Sequence, residues 1–307
     1  MNGFARCCVG LLFFLQFRVA TAATEPMPVV ATLPVLADLT REIGRSHVSV
    51  RSLITGLENE HTYTPAPGDL IAIQKARLLV KLGLGLEVWV EGLVQNVDRS
   101  DLVVVTASEG VLLPRDPIVL PGEEAMEQAD REAEALGNVH IWMDPENAKS
   151  MVQQITRGLV KSDPAHQVDY LRNQTAYLLQ LSNLVADLKE KVATLKDRRI
   201  VTHHAAWPHF ARRFGFVIRG NIQIGGEGIE PSPKHLGALI QRIRREQIRV
   251  IVSEPSLSQK TPQIFAKETG ASVLLLATMP GVMAGSDTYL KMMRHNVEAL
   301  VTALSGR

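Results

Sequence analysis

The sequence has almost no cysteine: Cys7 and Cys8 are the only two among 307 residues. Both lie in the first 23 residues, which combine the cation Arg6, an apolar run that begins at Cys7, and small residues around Ala22. These are the three parts of a secretory signal, so we predict a cleaved signal peptide over residues 1–23 and a periplasmic protein. An uncleaved N-terminal anchor is the alternative. The mature chain would then have no thiol, which excludes disulfides, thiolate metal sites and cysteine nucleophiles.

Aromatic residues are scarce, at 5% of the chain, and neither sign of charge predominates, since 33 Lys and Arg face 32 Asp and Glu. A protein that binds nucleic acid needs a basic surface for the phosphates, and one that binds single strands also needs aromatic side chains for base stacking. The composition therefore argues against nucleic acid as a partner. Apolar residues, at 46%, are in contrast plentiful enough for the cores of two domains of ordinary size.

Strand-like and helix-like segments alternate along two stretches of the chain, residues 24–162 and 196–307. Short runs of branched apolar residues, such as 102–105 (LVVV), predict buried strands, and the amphipathic segments between them predict helices. This alternation is typical of a parallel sheet with helices on both faces. We therefore predict the α/β fold class, with two parallel-sheet (β/α) lobes.

A long helix is predicted between the two lobes, over residues 163–195. Asp163 and Pro164 suit its first turn, and apolar residues recur after it every three, four or seven positions without an intervening glycine or proline. These residues are Leu171, Leu178, Leu181, Val185, Leu188, Val192 and Leu195. A helix of about 30 residues spans roughly 45 Å. We therefore expect a rigid connector that crosses a whole lobe.

The segment from 114 to 137 differs from both lobes because it combines prolines with many acidic residues. This composition predicts an exposed loop or a short solvated helix. Its carboxylates could concentrate cations weakly, but solvation alone explains them.

Three of the nine histidines, His61, His140 and His204, lie in loops or just after a predicted strand. Open α/β sheets present ligands at the carboxyl ends of their strands. Imidazole nitrogen suits Zn²⁺, Fe²⁺, Ni²⁺ or Cu²⁺, and three imidazoles can enclose one ion if the fold brings their loops together. The spacing of these histidines along the sequence does not show whether the fold brings their loops together.

The motifs around these histidines resemble the zinc/manganese family of periplasmic solute-binding proteins that serve ABC importers, the cluster A-I (cluster 9) group. They follow one another in the family's order over nearly the whole mature chain. The motifs are 29–34 (VVATLP), 60–67 (EHTYTPAP), 81–87 (KLGLGLE), 140–145 (HIWMDP), 202–210 (THHAAWPHF) and 289–296 (YLKMMRHN). The resemblance implies a monomeric receptor, not an enzyme, that binds a metal ion between its lobes. Its implied partners are a membrane permease with its ATPase, and a periplasmic metallochaperone is a further candidate.

The resemblance also places His61, His140 and His204 on three ligand positions of the family. His204 is preferred to His203 because the aromatic residues that follow it have the family's spacing. His203 and His209 flank this third position and are candidates for orienting an imidazole from outside the ligand set.

The family's usual fourth ligand is an Asp in the loop after the last strand, and this chain has no counterpart. Residues 275–280 (LLATMP) contain no acid, and Asp287 belongs to the start of the closing helix. The fourth position falls to water or to Glu60, while we interpret Glu254 as structural. Three imidazoles and at most one carboxylate suit tetrahedral Zn²⁺ better than Mn²⁺, which prefers oxygen ligands. We therefore predict Zn²⁺ as the transported ligand.

The residues leave several alternatives open. The same fold could carry Mn²⁺ or Fe²⁺ instead of Zn²⁺. Three imidazoles with an open water position also occur in zinc hydrolases, where Glu60 would be the general base, although the sequence has no His-Glu-x-x-His motif. A surface adhesin or a metal chaperone with the same site is a further possibility. The motifs favour the zinc receptor.

Overall fold

The computed structural model describes residues 25–97, 99–112, 138–223 and 231–306. The predicted signal peptide and the acidic segment 114–137 lie outside these residues. Within the described part of the chain, no helix has both the length and the apolar character needed to cross a membrane.

The first lobe contains a four-stranded parallel sheet in the order β2-β1-β3-β4. Its strands are β1 (Met27–Ala31), β2 (Val48–Ser52), β3 (Leu78–Lys81) and β4 (Val103–Thr106). Its helices are α1 (Pro34–Gly44), α2 (Pro67–Lys75), α3 (Val88–Val97) and α4 (Pro145–Ser162). Successive residues of a strand point to opposite faces, so Val29 and Val30 enter two different apolar cores. Helices therefore cover both faces of the sheet, as the alternating sequence predicts.

The second lobe repeats this arrangement with the strand order β6-β5-β7-β8. Its strands are β5 (Arg199–Thr202), β6 (Val217–Asn221), β7 (Val250–Ser253) and β8 (Ser272–Leu275). A connector, α5 (Gln167–Ala193), precedes them, and the helices that follow are α6 (Pro208–Phe214), α7 (Pro233–Glu246), α8 (Lys260–Thr269) and α9 (Tyr289–Ser305). Ile200 and Val201 again enter separate cores. The predicted two-lobed α/β fold is confirmed. The sequence patterns did not predict α4 and β6.

The strand order fixes where each lobe presents its loops. In both sheets the first strand lies between the second and the third. The connections that lead to these two neighbours therefore run to opposite sides of the first strand. Such a switch point opens a crevice at the carboxyl ends of the strands. In the second lobe, His204 lies two residues after β5, and Glu254 directly follows β7, the neighbour of β5. These two side chains therefore belong to the crevice of that lobe.

The connector helix differs in two details from the prediction. A 3-10 turn over Pro164–His166 precedes it, since the Asp163 carboxylate lies 2.6 Å from the His166 ring and accepts the Tyr170 hydroxyl at 2.7 Å. Leu171, predicted on the apolar face, is 43% exposed because the buried Tyr170 and Tyr177 fill the core at this end. The helix packs against α1, α4 and α9, so it contacts elements from both ends of the chain.

Three side-chain contacts fasten the two lobes together beside α4. Arg213 donates to both carboxylate oxygens of Asp144, at 2.6 and 2.9 Å. The Trp142 indole donates to the carbonyl of Thr278 at 2.8 Å, and the Tyr289 hydroxyl donates to the carbonyl of Trp142 at 2.6 Å. Because Asp144 and Trp142 are fully buried, this part of the interface is continuous with the main apolar core.

Asp38 makes a further buried contact, which predicts a pH-dependent stability. It lies in α1 and accepts the backbone N–H of Tyr289 at 2.7 Å, and burial raises the pKa of its carboxyl from 3.8 to about 6. Between these two values the folded protein holds a proton that the unfolded chain has lost, so acidification through this window stabilises the fold. Relative to Asp38→Asn, the wild type should gain up to about 1.4 kcal/mol per pH unit as pH falls below 6. Urea unfolding of both proteins from pH 4 to 8 measures this difference.

The exposed Asp287→Asn variant is the control for this titration, since its side chain is 66% exposed. A difference between wild type and Asp38→Asn that does not change with pH would show that the Asp38 carboxyl is not perturbed by burial.

Candidate metal centre

The side chains of His61, His140 and His204 meet between the two lobes, and one nitrogen of each lies within 4.8 Å of the others. The Nε2 atoms of His61 and His140 are 3.4 Å apart. The ring of His204 is almost perpendicular to both, with centroids at 4.8 Å from His140 and 6.2 Å from His61. Across the described residues, this is the only group of three or more side chains with metal-ligating atoms so arranged.

His61 lies in the loop between β2 and α2, and two side chains hold this loop. The Asn59 side-chain oxygen accepts the backbone N–H groups of His61 and Thr62 at 2.9 and 3.0 Å, which forms a tight polar turn. The indole of Trp89, in α3, donates to the carbonyl of Glu60 at 3.0 Å. The loop is thereby anchored to the body of the first lobe.

His140 is oriented by Asn138, two residues before it. The Asn138 side-chain oxygen accepts the backbone N–H of His140 at 3.0 Å and lies 3.1 Å from its Nδ1, while its Nδ2 donates to the carbonyl of Ala205 at 2.5 Å. Because Ala205 can only accept this bond, the amide oxygen must face His140, whose proton then lies on Nδ1. His209, proposed as a neighbour of the third histidine, instead contacts the Asn138 carbonyl with its Nε2 at 2.7 Å. The Nε2 lone pair of His140 is left for a cation.

His204 lies beside Glu254, which the sequence analysis treated as structural. The Nδ1 of His204 is 3.4 Å from Glu254 Oε2, and the indole of Trp207 donates to Glu254 Oε1 at 2.5 Å. His203 contacts the side chain of Ser253 through its Nδ1, at 2.9 Å from the Ser253 oxygen. Glu254 is therefore the carboxylate that lies next to the third candidate ligand.

The local environment keeps the first two imidazoles neutral. Burial, followed by the charge of His204, lowers the pKa of His61 from 6.5 to about 4. Burial, with additional repulsion from His204 and His61, holds the pKa of His140 well below its usual value. Both side chains therefore have a free nitrogen lone pair at neutral pH, which is the form that binds a metal ion.

The carboxylate of Glu60 approaches the histidines from the loop that carries His61. Its Oε1 is 3.8 Å from His140 Nε2, and its side chain is 12% exposed. The loop after β8 contributes no acid, and the Asn296 side chain holds Ala277 there through bonds of 3.0 and 2.7 Å to its backbone. Asp287 pairs instead with Lys291 at the surface. The centre thus offers three imidazoles, with the Glu60 carboxylate near Nε2 of His140 and the Glu254 carboxylate near Nδ1 of His204.

Comparison with known proteins gives consistent matches along the chain. The profile of the ZnuA family, zinc-uptake complex component A, periplasmic, matches residues 29–303. The iron-binding protein YfeA of Yersinia pestis is 30% identical over 279 residues, which cover 89% of this chain and 84% of YfeA. The manganese-binding lipoprotein MntA of Halalkalibacterium halodurans is 26% identical over 286 residues, which cover 92% and 89%.

A solved structure of a ZnuA deletion mutant with zinc bound is similar to this chain with a TM-score of 0.77 and 26% identity. The match covers 92% of this chain and 100% of that one. The names of these proteins specify three different metals, so similarity alone does not select the ion.

Proposed function

The chain belongs to the ZnuA family of periplasmic metal-binding receptors of ABC importers, and we propose that the metal it carries is Zn²⁺. Members of this family are solute-binding proteins and not enzymes, which removes the hydrolase alternative. The observation that carries the proposal is the donor set: one nitrogen from each of three imidazoles within 4.8 Å of the others, with the Glu60 carboxylate 3.8 Å from one of these nitrogens.

In this proposal His61, His140 and His204 each present Nε2 to the ion, and Glu60 moves the remaining distance to complete a tetrahedron. Structural and transport sites with nitrogen ligands and one oxygen suit Zn²⁺, whereas Mn²⁺ prefers more oxygen donors. The absence of an acid directly after β8, in residues 276–280, supports the same choice. Low pKa values at His61 and His140 favour binding of a metal cation in general, because no proton need leave these two rings when the ion binds.

We further propose that cleavage after residue 23 releases the mature chain in the periplasm. MntA is named a lipoprotein, but this chain has no cysteine beyond Cys8 for a lipid to modify. The mature receptor would then act as a monomer that passes its ion to a membrane permease driven by an ATPase. A periplasmic metallochaperone is a further candidate partner.

A receptor for Mn²⁺ or Fe²⁺ is the second candidate, because MntA and YfeA are named for those metals. Affinity in solution does not separate the candidates, since most nitrogen and oxygen sites bind Zn²⁺ more tightly than Mn²⁺. The cargo is better identified by what the cell accumulates.

The test is therefore the metal content of cells that lack this protein and are grown with a chelator. We expect zinc accumulation to fall and to return with the wild-type gene, but not with His140→Ala. A loss of manganese or iron with unchanged zinc would contradict the proposal. If the cellular content of every metal is unchanged, whether or not the cells have the permease, the protein is an adhesin or chaperone instead.

Gly56, in the loop that carries His61, gives a prediction about the geometry of the site. Its φ is +92°, and a Cβ there would lie 2.9 Å from both Met279 Cβ and Val282 Cγ1 of the second lobe. Gly56→Ala should displace the loop that carries His61 and weaken zinc binding by about tenfold. This corresponds to a loss of about 1.4 kcal/mol in binding free energy. Competition titration with a chromophoric chelator measures the change.

Gly85→Ala is the matched control, because Gly85 also has a positive φ, +76°, but a Cβ there meets nothing within 4 Å. It carries the same backbone strain without the contact between the lobes. Equal zinc affinities for the two variants would show that the contact of Gly56 with the second lobe does not position His61.

A further inference from the structure

Glu254 is a buried carboxylate at the switch point of the second lobe, and each of its oxygens lies near a ring nitrogen. It is 1% exposed, and the neighbouring Trp207 is fully buried. Oε1 accepts the Trp207 indole N–H at 2.5 Å, and Oε2 lies 3.4 Å from Nδ1 of His204. The strand order explains this meeting, since Glu254 and His204 follow the adjacent strands β7 and β5.

The indole nitrogen of Trp207 can donate a hydrogen bond but cannot accept one. Oε1 of Glu254 must therefore be the acceptor of this bond. Oε2 is likewise an acceptor when the carboxylate is ionised, and it favours the form of His204 that has its proton on Nδ1. In that form Nε2 carries a lone pair instead of the proton, on the side of the ring away from Glu254. A neutral imidazole can bind a metal only through the nitrogen without the proton.

We propose that Glu254 is a positioning residue that holds His204 in the Nδ1–H tautomer, with Trp207 fixing the carboxylate in place. This inference rests on the proposed function, because His204 is one of its three ligands. Glu254 itself does not contact the ion. Its two acceptor atoms set both the rotation of the His204 ring and the nitrogen that faces His61 and His140.

The surroundings explain why a carboxylate serves His204 while an amide serves His140. Asn138 has one acceptor neighbour, the Ala205 carbonyl, for its NH₂ group, so its oxygen is free for the Nδ1–H of His140. Glu254 has two donor neighbours and therefore needs two acceptors. A glutamine at position 254 would place its NH₂ against one of two N–H groups, whichever way the amide turned.

The decisive variant is therefore Glu254→Gln. If the amide oxygen stays on Trp207, its NH₂ faces His204, and the ring must move its proton to Nε2 to accept this bond. Zinc affinity should then fall by about 10- to 100-fold, as it does when other groups that orient a metal ligand are lost. In the metal-free protein, nitrogen NMR of ¹⁵N-histidine should show the proton of His204 moved from Nδ1 to Nε2, with His204→Gln identifying the signals.

Trp207→Phe provides the rescue. Without the indole donor, the amide oxygen of Glu254→Gln is free to turn toward His204 and restore the Nδ1–H tautomer. The double variant should therefore bind zinc to within about twofold of Trp207→Phe alone, the scatter expected between independent changes. A merely structural role of Glu254 predicts the opposite, since two damaging substitutions in one core would add their effects.

Glu87→Gln is the matched control: Glu87 is a buried carboxylate at the switch point of the first lobe, where Thr32 and the backbone N–H groups of Leu82 and Gly83 donate to it. It should leave the His204 tautomer unchanged.

An unchanged tautomer and zinc affinity in Glu254→Gln would overturn the inference, as would a double variant weaker than either single one. If Trp207→Phe does not fold, the tautomer in Glu254→Gln still decides. Failure of the wild type to bind zinc would refute the proposed function alone, because the tautomer is read without metal.

Discussion

Replacing His140 by alanine should reduce zinc affinity by more than about 100-fold, beyond the 10- to 100-fold that follows loss of a group outside the ligand set. Of the three candidate ligands, His140 is the most central. Its Nε2 is 3.4 Å from that of His61 and 3.8 Å from Glu60, and its ring lies 4.8 Å from that of His204. Its removal would leave two imidazoles and one carboxylate around an open position. Competition with a chromophoric chelator over a wide affinity range measures the loss.

His47→Ala is the matched control, because His47 pairs with Asp169 at 3.1 Å on the connector helix and does not reach the centre. It should bind zinc like the wild type. Thermal unfolding of the two metal-free variants shows whether each has retained its fold. Tight stoichiometric zinc binding by a folded His140→Ala protein would exclude the three-histidine site.

Replacing Arg213 by methionine should have the largest effect on stability. Arg213 makes two bonds to Asp144, a carboxylate that is fully buried and also accepts the backbone N–H of Glu146 at the start of α4. Removing the guanidinium leaves a buried charge without its cation, which typically costs about 3–5 kcal/mol. For a chain of this size, that corresponds to a fall in Tm of roughly 6–20 °C. Urea unfolding and calorimetry both measure it.

Arg294→Met is the control for the same type of substitution at an exposed pair. Arg294 contacts Asp187, and both side chains are more than 40% exposed, so the loss should stay below about 1 kcal/mol. Adding Asp144→Asn to Arg213→Met should recover part of the stability, since it removes the unpaired charge. Equal losses for the two arginine variants would mean that the Asp144 pair does not fasten the lobes.

The sequence was sufficient to predict most of the fold, because buried parallel strands and amphipathic helices have distinct patterns. The two missing elements have weak patterns for physical reasons. In α4, Gly158 interrupts the helical signal, yet it is required there because a Cβ would lie 2.4 Å from Val105 of β4. In β6, Arg219 and Gly220 replace the apolar residues that mark a strand. Both elements depend on close packing that a local pattern does not show.

The candidate ligands could also be predicted, since motifs along the chain mark His61, His140 and His204. The groups that orient them were missed because their partners are distant in sequence. Asn138 acts on His140 while bonded to Ala205, and Glu254 faces His204 only because β7 lies beside β5. Strand order was the one signal that could have identified Glu254, as it places the ends of β5 and β7 at the same edge.

The most direct test of the account is a crystal structure of the mature protein loaded with Zn²⁺, with anomalous diffraction to identify the ion. The account predicts one zinc between the lobes, about 2.0–2.1 Å from Nε2 of His61, His140 and His204. A carboxylate oxygen of Glu60 should complete the tetrahedron. A zinc ion bound elsewhere, or one coordinated without any of these three imidazoles, would contradict it.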